Sequence, residues 1–366
     1  MTELFFELIR VAIGTQECIS RIPSVREWSM LRKMAEKQSL MGVCFAALRR
    51  LGADADNGFV KIGMNEMQYL DWMGMAFQIQ CKNEVANRQC AELQSKLFDD
   101  GMRSCILKGQ GVDQLYAKHL HGLRQSGDID IWIEGDKDET LDWARKQGAT
   151  IGSIDIVHAH ADFFEDTEVE IHSQPSWMYG RRADKVLQKF FNSEADKQFE
   201  NRDISVGFSY PTVVFNLVYL LVHINRHIFE EGIGFRQLMD YYFALIASNK
   251  YERAEAIKVL SALGLMKFVQ GIMYIEQKVF GMSTSCMLCE VDKREGEFLL
   301  KDILVGGNFG KYDKRNVILP TEQRFARGLY NMKRNMRYLV HYPSEVISIP
   351  FWKLWHYCWR KRKGYL

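Results

Sequence analysis

Apolar residues recur three and four positions apart through the first hundred residues. LFFELIRVAIG, REWSMLRKMAEKQSLMGVCFAALRRLG and QIQCKNEVANRQCAELQSKLFDDG each carry an apolar stripe of helical period. The last ends in Asp99-Asp100-Gly101, a reasonable helix stop. The period then shortens. SCILKG (104–109) is brief, apolar and β-rich, and GDIDIWIE (127–134) alternates strictly, so both read as strands, with a short helix over GVDQLYAKH between them. GDKDETLDWARKQGA (135–149) returns to helical spacing, with acids at its start and bases near its end, as the helix dipole prefers. HADFFED (160–166) and TEVEIHSQ (167–174) read as strands joined by a tight hairpin at Glu165-Asp166-Thr167-Glu168. From about Ala183 the helical period resumes, through YPTVVFNLVYLLVHINRHIFEEG, GFRQLMDYYFALIASN and YERAEAIKVLSALGLMKFVQGIMYIEQKVFG.

This order predicts an α+β protein. A small α/β core at 101–180 separates an N-terminal helical segment, 1–100, from a C-terminal helical domain, 181–320, and a basic aromatic tail follows at 321–366. No internal repeat or low-complexity linker interrupts it. The chain has 366 residues, 47% of them hydrophobic, enough for a substantial core. Its net charge of +2 gives no global field that would draw nucleic acid. Eight cysteines, mostly scattered through apolar helical patterns, suit a reduced interior, and the lone Cys286-Met-Leu-Cys289 pair lacks the second pair a zinc site would need. The start, with Glu3 and Glu7 and no basic region, is unlike a signal peptide. The longest apolar run, 213–224, is broken by Asn216 and reads as a buried helix. The expected location is cytoplasmic, with the tail allowing peripheral attachment at the inner face of the membrane.

The alternating strand carries the chemistry. Asp128, Asp130 and Trp132 share one face, and Ile129, Ile131 and Ile133 share the other. Carboxylates one strand residue apart lie about 7 Å from each other along the chain and can converge on divalent cations. Without a cation, their repulsion would cost stability or raise a pKa. A face merely solvated and paired with Lys or Arg is the plain alternative. Against it stand Gly127 directly before Asp128, the strand ending at Lys108-Gly109, and a second alternating strand on which Glu168, Glu170 and His172 share a face. Three carboxylates from two neighbouring strands suit two magnesium ions and in-line phosphoryl chemistry.

Three ordered blocks, Leu107-Lys108-Gly109, then Gly122-Leu123-Arg124-Gln125-Ser126-Gly127-Asp128-Ile129-Asp130-Ile131, then Val169-Glu170-Ile171-His172, resemble the polymerase-β-type nucleotidyltransferase superfamily. More narrowly they are similar to an uncharacterised bacterial nucleotidyltransferase family whose pattern is Lys-Gly, Leu-Arg-x-x-Gly-Asp-Ile-Asp, then acid-hydrophobic-His. The resemblance implies a small mixed β-sheet palm and transfer of an NMP group from an NTP to an acceptor hydroxyl, releasing pyrophosphate. It implies that Asp128, Asp130 and Glu170 hold two magnesium ions, Glu170 beside the attacking group as ligand or base. Lys108, Gly109, Arg124, Ser126 and Gly127 would bind the nucleotide. The sequence departs from the superfamily in Gly109-Gln110, where Gly-Ser or Gly-Gly is usual, in a longer gap to Asp128, and in a glutamate as third acid. The acceptor is not named by these residues. A catalytically inactive nucleotide-binding module and a peripheral membrane scaffold are the alternatives.

Other residues invite chemistry more weakly. His172 shares the Glu170 face and could orient a carboxylate. Arg236 and Asp240, one helical turn apart, would form either an i,i+4 ion pair or a wall of the nucleotide pocket. His223 and His227 have metal-ligand spacing but read as a polar helix face, with Arg226 between them as a phosphate contact. His158 and His160 read as polar residues at a strand end. In the tail, Phe351, Trp352, Trp355 and Trp359 recur at helical spacing before Arg360-Lys361-Arg362-Lys363. Residues 351–363 could therefore meet a membrane surface or a nucleic acid, or dock on their own domain with a solvated basic end.

Overall fold

The computed structural model describes residues 1–315 and 324–365 and is α+β. The boundary expected between 320 and 321 lies outside the described residues. Helices α1 (Thr2–Ile13), α2 (Val25–Lys37), α3 (Met41–Arg50) and the 34-residue α4 (Glu66–Asp99) lead to strand β1 (Ser104–Ile106). Strand β2 (Ile129–Ile133), helix α5 (Lys137–Lys146) and strands β3 (Thr150–Ile154), β4 (His158–Asp162) and β5 (Val169–His172) complete the sheet. Helix α6 (Arg181–Glu200), a two-stranded ribbon, and helices α7 (Val213–Glu230), α8 (Phe235–Ala247), α9 (Lys250–Ala262), α10 (Met266–Phe280) and α11 (Lys293–Gly306) follow. Helices α12 (Arg324–Asn335) and α13 (Pro343–Lys363) come last.

The five strands lie in the order β1-β2-β5-β4-β3. β2 and β5 are parallel, in a register that sets Asp130 opposite Glu170 and Trp132 opposite His172. β4 runs antiparallel to β5, with His158 opposite His172 and His160 opposite Glu170. Because side chains alternate faces, this register collects Asp128, Asp130, Glu170, His172, His158 and His160 on one side of the sheet. The other side is apolar. Ile129, Ile131, Ile133, Val169 and Ile171 pack there on Leu93 and Leu97 of α4, Trp143 of α5 and Phe208.

Local rules explain the helix starts. Asp136 accepts from the Glu139 amide at 2.9 Å while Glu139 accepts from the Asp136 amide at 3.1 Å, a capping box that begins α5 as its acidic first turn predicts. Ser24 and Glu27 begin α2 the same way. The strand readings needed adjustment. β3 was not foreseen: it is a half-exposed edge strand containing Gly152, so it lacks the alternation that marks a half-buried strand. β4 starts earlier than expected and ends at Asp162, after which Phe163 packs on Trp143 with ring centres 5.6 Å apart. The β4–β5 hairpin holds, but residues 163–168 connect it in place of a tight turn.

The N- and C-terminal helices share a single core. Phe5 and Phe6 of α1 meet Phe235 of α8 at 6.2 and 5.9 Å between ring centres, and Thr15 donates to the Phe280 carbonyl at 2.7 Å. All eight cysteines are free, and burial pushes the Cys289 thiol up to about 11, opposite to a redox or metal-binding thiol. Among the described residues, no helix is long and apolar enough to cross a membrane.

Candidate active site

The polar side of the sheet faces α7 and α8 across a cleft. Its lining includes Lys108, Gly109, Arg124, Gly127, Asp128, Asp130 and Glu170 from the sheet side, and Arg226, Arg236 and Asp240 from the helices. Of the sequence-nominated residues, Ser126 accepts from Arg124 Nη1 at 3.0 Å. His172 is buried behind the carboxylates.

Ligand oxygens of Asp128, Asp130 and Glu170 lie within 4.8 Å of one another. The repulsion expected among them is answered from within. Asp130, 1% exposed, meets Lys108 Nζ at 2.8 Å and His172 Nε2 at 3.0 Å, both at Oδ1. His172 Nε2 is also 3.4 Å from Glu170. Burial opposes the charge on Lys108, but Asp130, with Asp128 and Glu170 behind it, outweighs that and raises the ammonium pKa. His172 follows the same pattern: burial lowers its pKa, and hydrogen bonds to Asp130 and Glu170 raise it further. Glu170 is pulled down to about 2; burial works against this, while the His172 hydrogen bond and the Lys108 charge prevail. Two cations thus stand among the carboxylates where divalent ions would otherwise balance them.

A second donor set adjoins the first. His158, Glu170 and His172 also each offer a ligand atom, all within 4.8 Å of one another. Burial, with the nearby His172 charge, lowers His158 to about 2, so its ring is neutral, and Nδ1 has no hydrogen-bond partner. His158, which the sequence reading had left as a strand-end residue, therefore lines the cleft, while His160, on the same face of β4, lies 3.9 Å from Glu170 at the side of it. The sign was present: His-Ala-His, read at strand period against Glu-Ile-His, puts four of these groups on one face.

The loop before Asp128 is pinned from several sides. Asn83 of α4 donates to the carbonyls of Gly122 and Arg124, each at 2.8 Å, and accepts from Gln110 at 2.9 Å. Nothing in the motif pointed to Asn83, a polar residue on the buried stripe of a long helix. Gly109 adopts φ +56°, a left-handed backbone that favours glycine, directly beside the Asp128 carbonyl. Gly127 differs: its φ is not left-handed and a Cβ would meet nothing within 4 Å, so its value is open space at the cleft floor.

Arg236 and Asp240 do not pair with each other. Asp240 takes a two-pronged contact from Arg124, Nε to Oδ1 and Nη2 to Oδ2 at 2.7 Å each, plus the Tyr116 hydroxyl at 2.7 Å. Arg236 donates to the Gln125 carbonyl at 2.6 Å and lies 5.5 Å from the ring centre of Phe309. It forms no ion pair among the described residues, its Nε lacks a hydrogen-bond partner, and burial with the nearby Arg124 charge lowers its pKa. A half-buried guanidinium so placed favours an anion. On α7, Arg226 stacks on Trp177, 3.8 Å from the ring centre, while burial keeps His223 neutral beside His227. Phe309 and the α7 histidines complete the far wall.

The comparison with known families meets this geometry. A family model described as uncharacterised nucleotidyltransferase matches residues 24–281, which take in the whole sheet and helices α7 to α10. The chain belongs to that family, and so to the transferases. No curated protein matches it.

Proposed function

We propose that this protein is an active metal-dependent nucleotidyltransferase of the polymerase-β type, moving an NMP group from an NTP to an acceptor hydroxyl with release of pyrophosphate. One observation supports this above the rest: three carboxylates converge from two parallel-paired strands, facing a half-buried arginine that forms no ion pair among the described residues. The donor set, oxygen atoms from Asp128, Asp130 and Glu170, fits hard divalent cations. Bound magnesium would neutralise the triphosphate and polarise the reacting phosphorus.

The chain's own groups divide the remaining work. Lys108 and Arg236 bind phosphate oxygens, with Arg226 on the opposite wall. Gly109 and Gly127 keep the floor free of side chains, so backbone and phosphate can approach closely. The Arg124–Asp240 pair spends its charge on itself and acts by holding residues 124–128, and hence Asp128, in place. Glu170, whose carboxyl the His172 hydrogen bond and the Lys108 charge hold low against its burial, is ionised and would hold a cation beside the attacking group.

Thermal unfolding with magnesium and each of the four NTPs tests the reading. The wild type should be stabilised by an NTP only when magnesium is present, by mass action, and Asp128→Asn should lose the effect. No shift with any NTP would overturn it. A magnesium-dependent shift without pyrophosphate release, even with acceptor hydroxyls in excess, would favour the inactive nucleotide-binding module.

A further inference from the structure

The C-terminal helix α13 is docked by one face and bare on the other. On the docked face, Trp352 stacks on Trp177 with ring centres 5.1 Å apart and meets Tyr179 edge-on at 5.5 Å. His356 stacks on Trp352 at 4.8 Å and lies 3.5 Å from Asp155. Lys137 covers the Trp359 ring at 5.6 Å. The opposite face is apolar and exposed: Ile347 is 56% exposed, Phe351 71%, Leu354 65% and Trp355 50%. At 3.6 residues per turn, Ile347, Phe351, Leu354 and Cys358 fall within about 60° of arc and run roughly 16 Å along the axis. One turn further on, Lys361 and Arg362 flank the same line, and both are exposed.

We propose that this stripe lies in the surface of a bilayer containing anionic lipid. Its Ile, Phe, Leu and Trp side chains would enter the headgroup and acyl boundary, while Lys361 and Arg362 reach lipid phosphates. Charge selects this occupant. The helix holds five basic residues and one acid, and that acid, Glu345, is on the docked side. A second copy laid along the stripe would bury Lys361 and Arg362 with no acidic partner from the same face. A nucleic acid would want cations along a track, whereas these sit at one end of an aliphatic and aromatic line. The helix does not cross the bilayer; it lies on it.

The attachment fixes the orientation of the cleft. Trp177, on which Trp352 stacks, also carries the Arg226 guanidinium of the cleft wall. The lipid-facing helix and the wall are therefore one stacked ring apart, so the bound protein would present its cleft at a set angle to the membrane. This inference does not depend on the nucleotidyltransferase reading.

Flotation of the full chain with phosphatidylcholine vesicles, with and without phosphatidylglycerol, is the test. The wild type should float with the anionic vesicles and remain below with the neutral ones, and high salt should release it. Lys361→Gln/Arg362→Gln should weaken partitioning about 25-fold, roughly fivefold for each charge removed. Phe351→Ser/Leu354→Ser should weaken it more, by about 100-fold. All four positions are exposed, so circular dichroism and the melting temperature should match the wild type. Equal flotation of wild type and both variants, or none by the wild type, overturns the proposal. A dimer in solution that Phe351→Ser/Leu354→Ser dissociates, without flotation, assigns the stripe to a second copy and also overturns it. So does retention on single-stranded DNA without flotation.

Discussion

Two buried aspartates line the same cleft and are held in opposite ways. Asp240 is gripped by both nitrogens of the Arg124 fork and by Tyr116, each contact directional and 2.7 Å long. Asp130 meets two cations, Lys108 and His172, at a single oxygen. The first arrangement is saturated by geometry, and an incoming ligand would have to break it. The second concentrates an ion pair and a hydrogen bond on one oxygen, and a divalent ion could take over that balance without rebuilding the backbone. A buried carboxylate's burial thus says little about its role; the form of its partnership says more.

The largest effect that would break this comparison is on turnover. Asp130→Asn should lower pyrophosphate release by about 10³-fold, the scale of removing a group that balances developing charge. In magnesium-free buffer it should also destabilise the fold, because Lys108 loses its buried counterion. Urea unfolding that shows a gain in stability would mean that the carboxylates are strained, not balanced. Next comes Asp240→Ala, expected to cost about 3–5 kcal/mol by stranding Arg124 and freeing Tyr116. Magnesium should not recover that loss, whereas added magnesium should stabilise the wild type. If magnesium rescues Asp240→Ala, the contrast between the two aspartates fails.

Arg236→Gln should raise KM for the NTP about tenfold while changing kcat little, because the side chain would bind phosphate without entering the bond changes. A fall in kcat with unchanged KM would move Arg236 into the reaction itself. The smallest effect concerns Glu345, whose carboxyl burial pushes up to about 6 from 4.5. A raised carboxyl pKa favours the protonated form in the fold. Its stability contribution is therefore complete below pH 4.5 and declines as pH rises through 6. Glu345→Gln should be more stable than wild type by about 1–2 kcal/mol well above pH 6 and equal to it below pH 4.5. A pH-independent difference would mean that packing, not charge, separates them.

The strand period made the two-faced sheet legible, because Asp128-Ile129-Asp130-Ile131 admits one inside and one outside. The meeting of Glu170 with Asp130 was also legible once both strands were seen to alternate. Three things were not. Partnership across the fold cannot be read locally: Arg236 and Asp240 look like a helical ion pair until Arg124, more than a hundred residues earlier, takes Asp240. Support from outside the motif leaves no pattern, as with Asn83, whose amide holds two carbonyls of the Asp128 loop. Edge strands escape because β3 buries little and needs no alternation. The tail was half legible. Helical aromatic spacing suggested both docking and exposure, and the structure divides the same aromatics between the two, Trp352 and Trp359 inward, Phe351 and Trp355 outward.

The core shared by α1 and α8 bears on how the protein can be dissected. The family match starts at residue 24, yet Phe5 and Phe6, upstream of it, seat Phe235, which begins the helix bearing Arg236 and Asp240. The unit recognisable by descent is thus smaller than the unit that folds. A fragment cut at the start of the recognisable region would keep every charged residue of the cleft and lose the foundation of one of its walls.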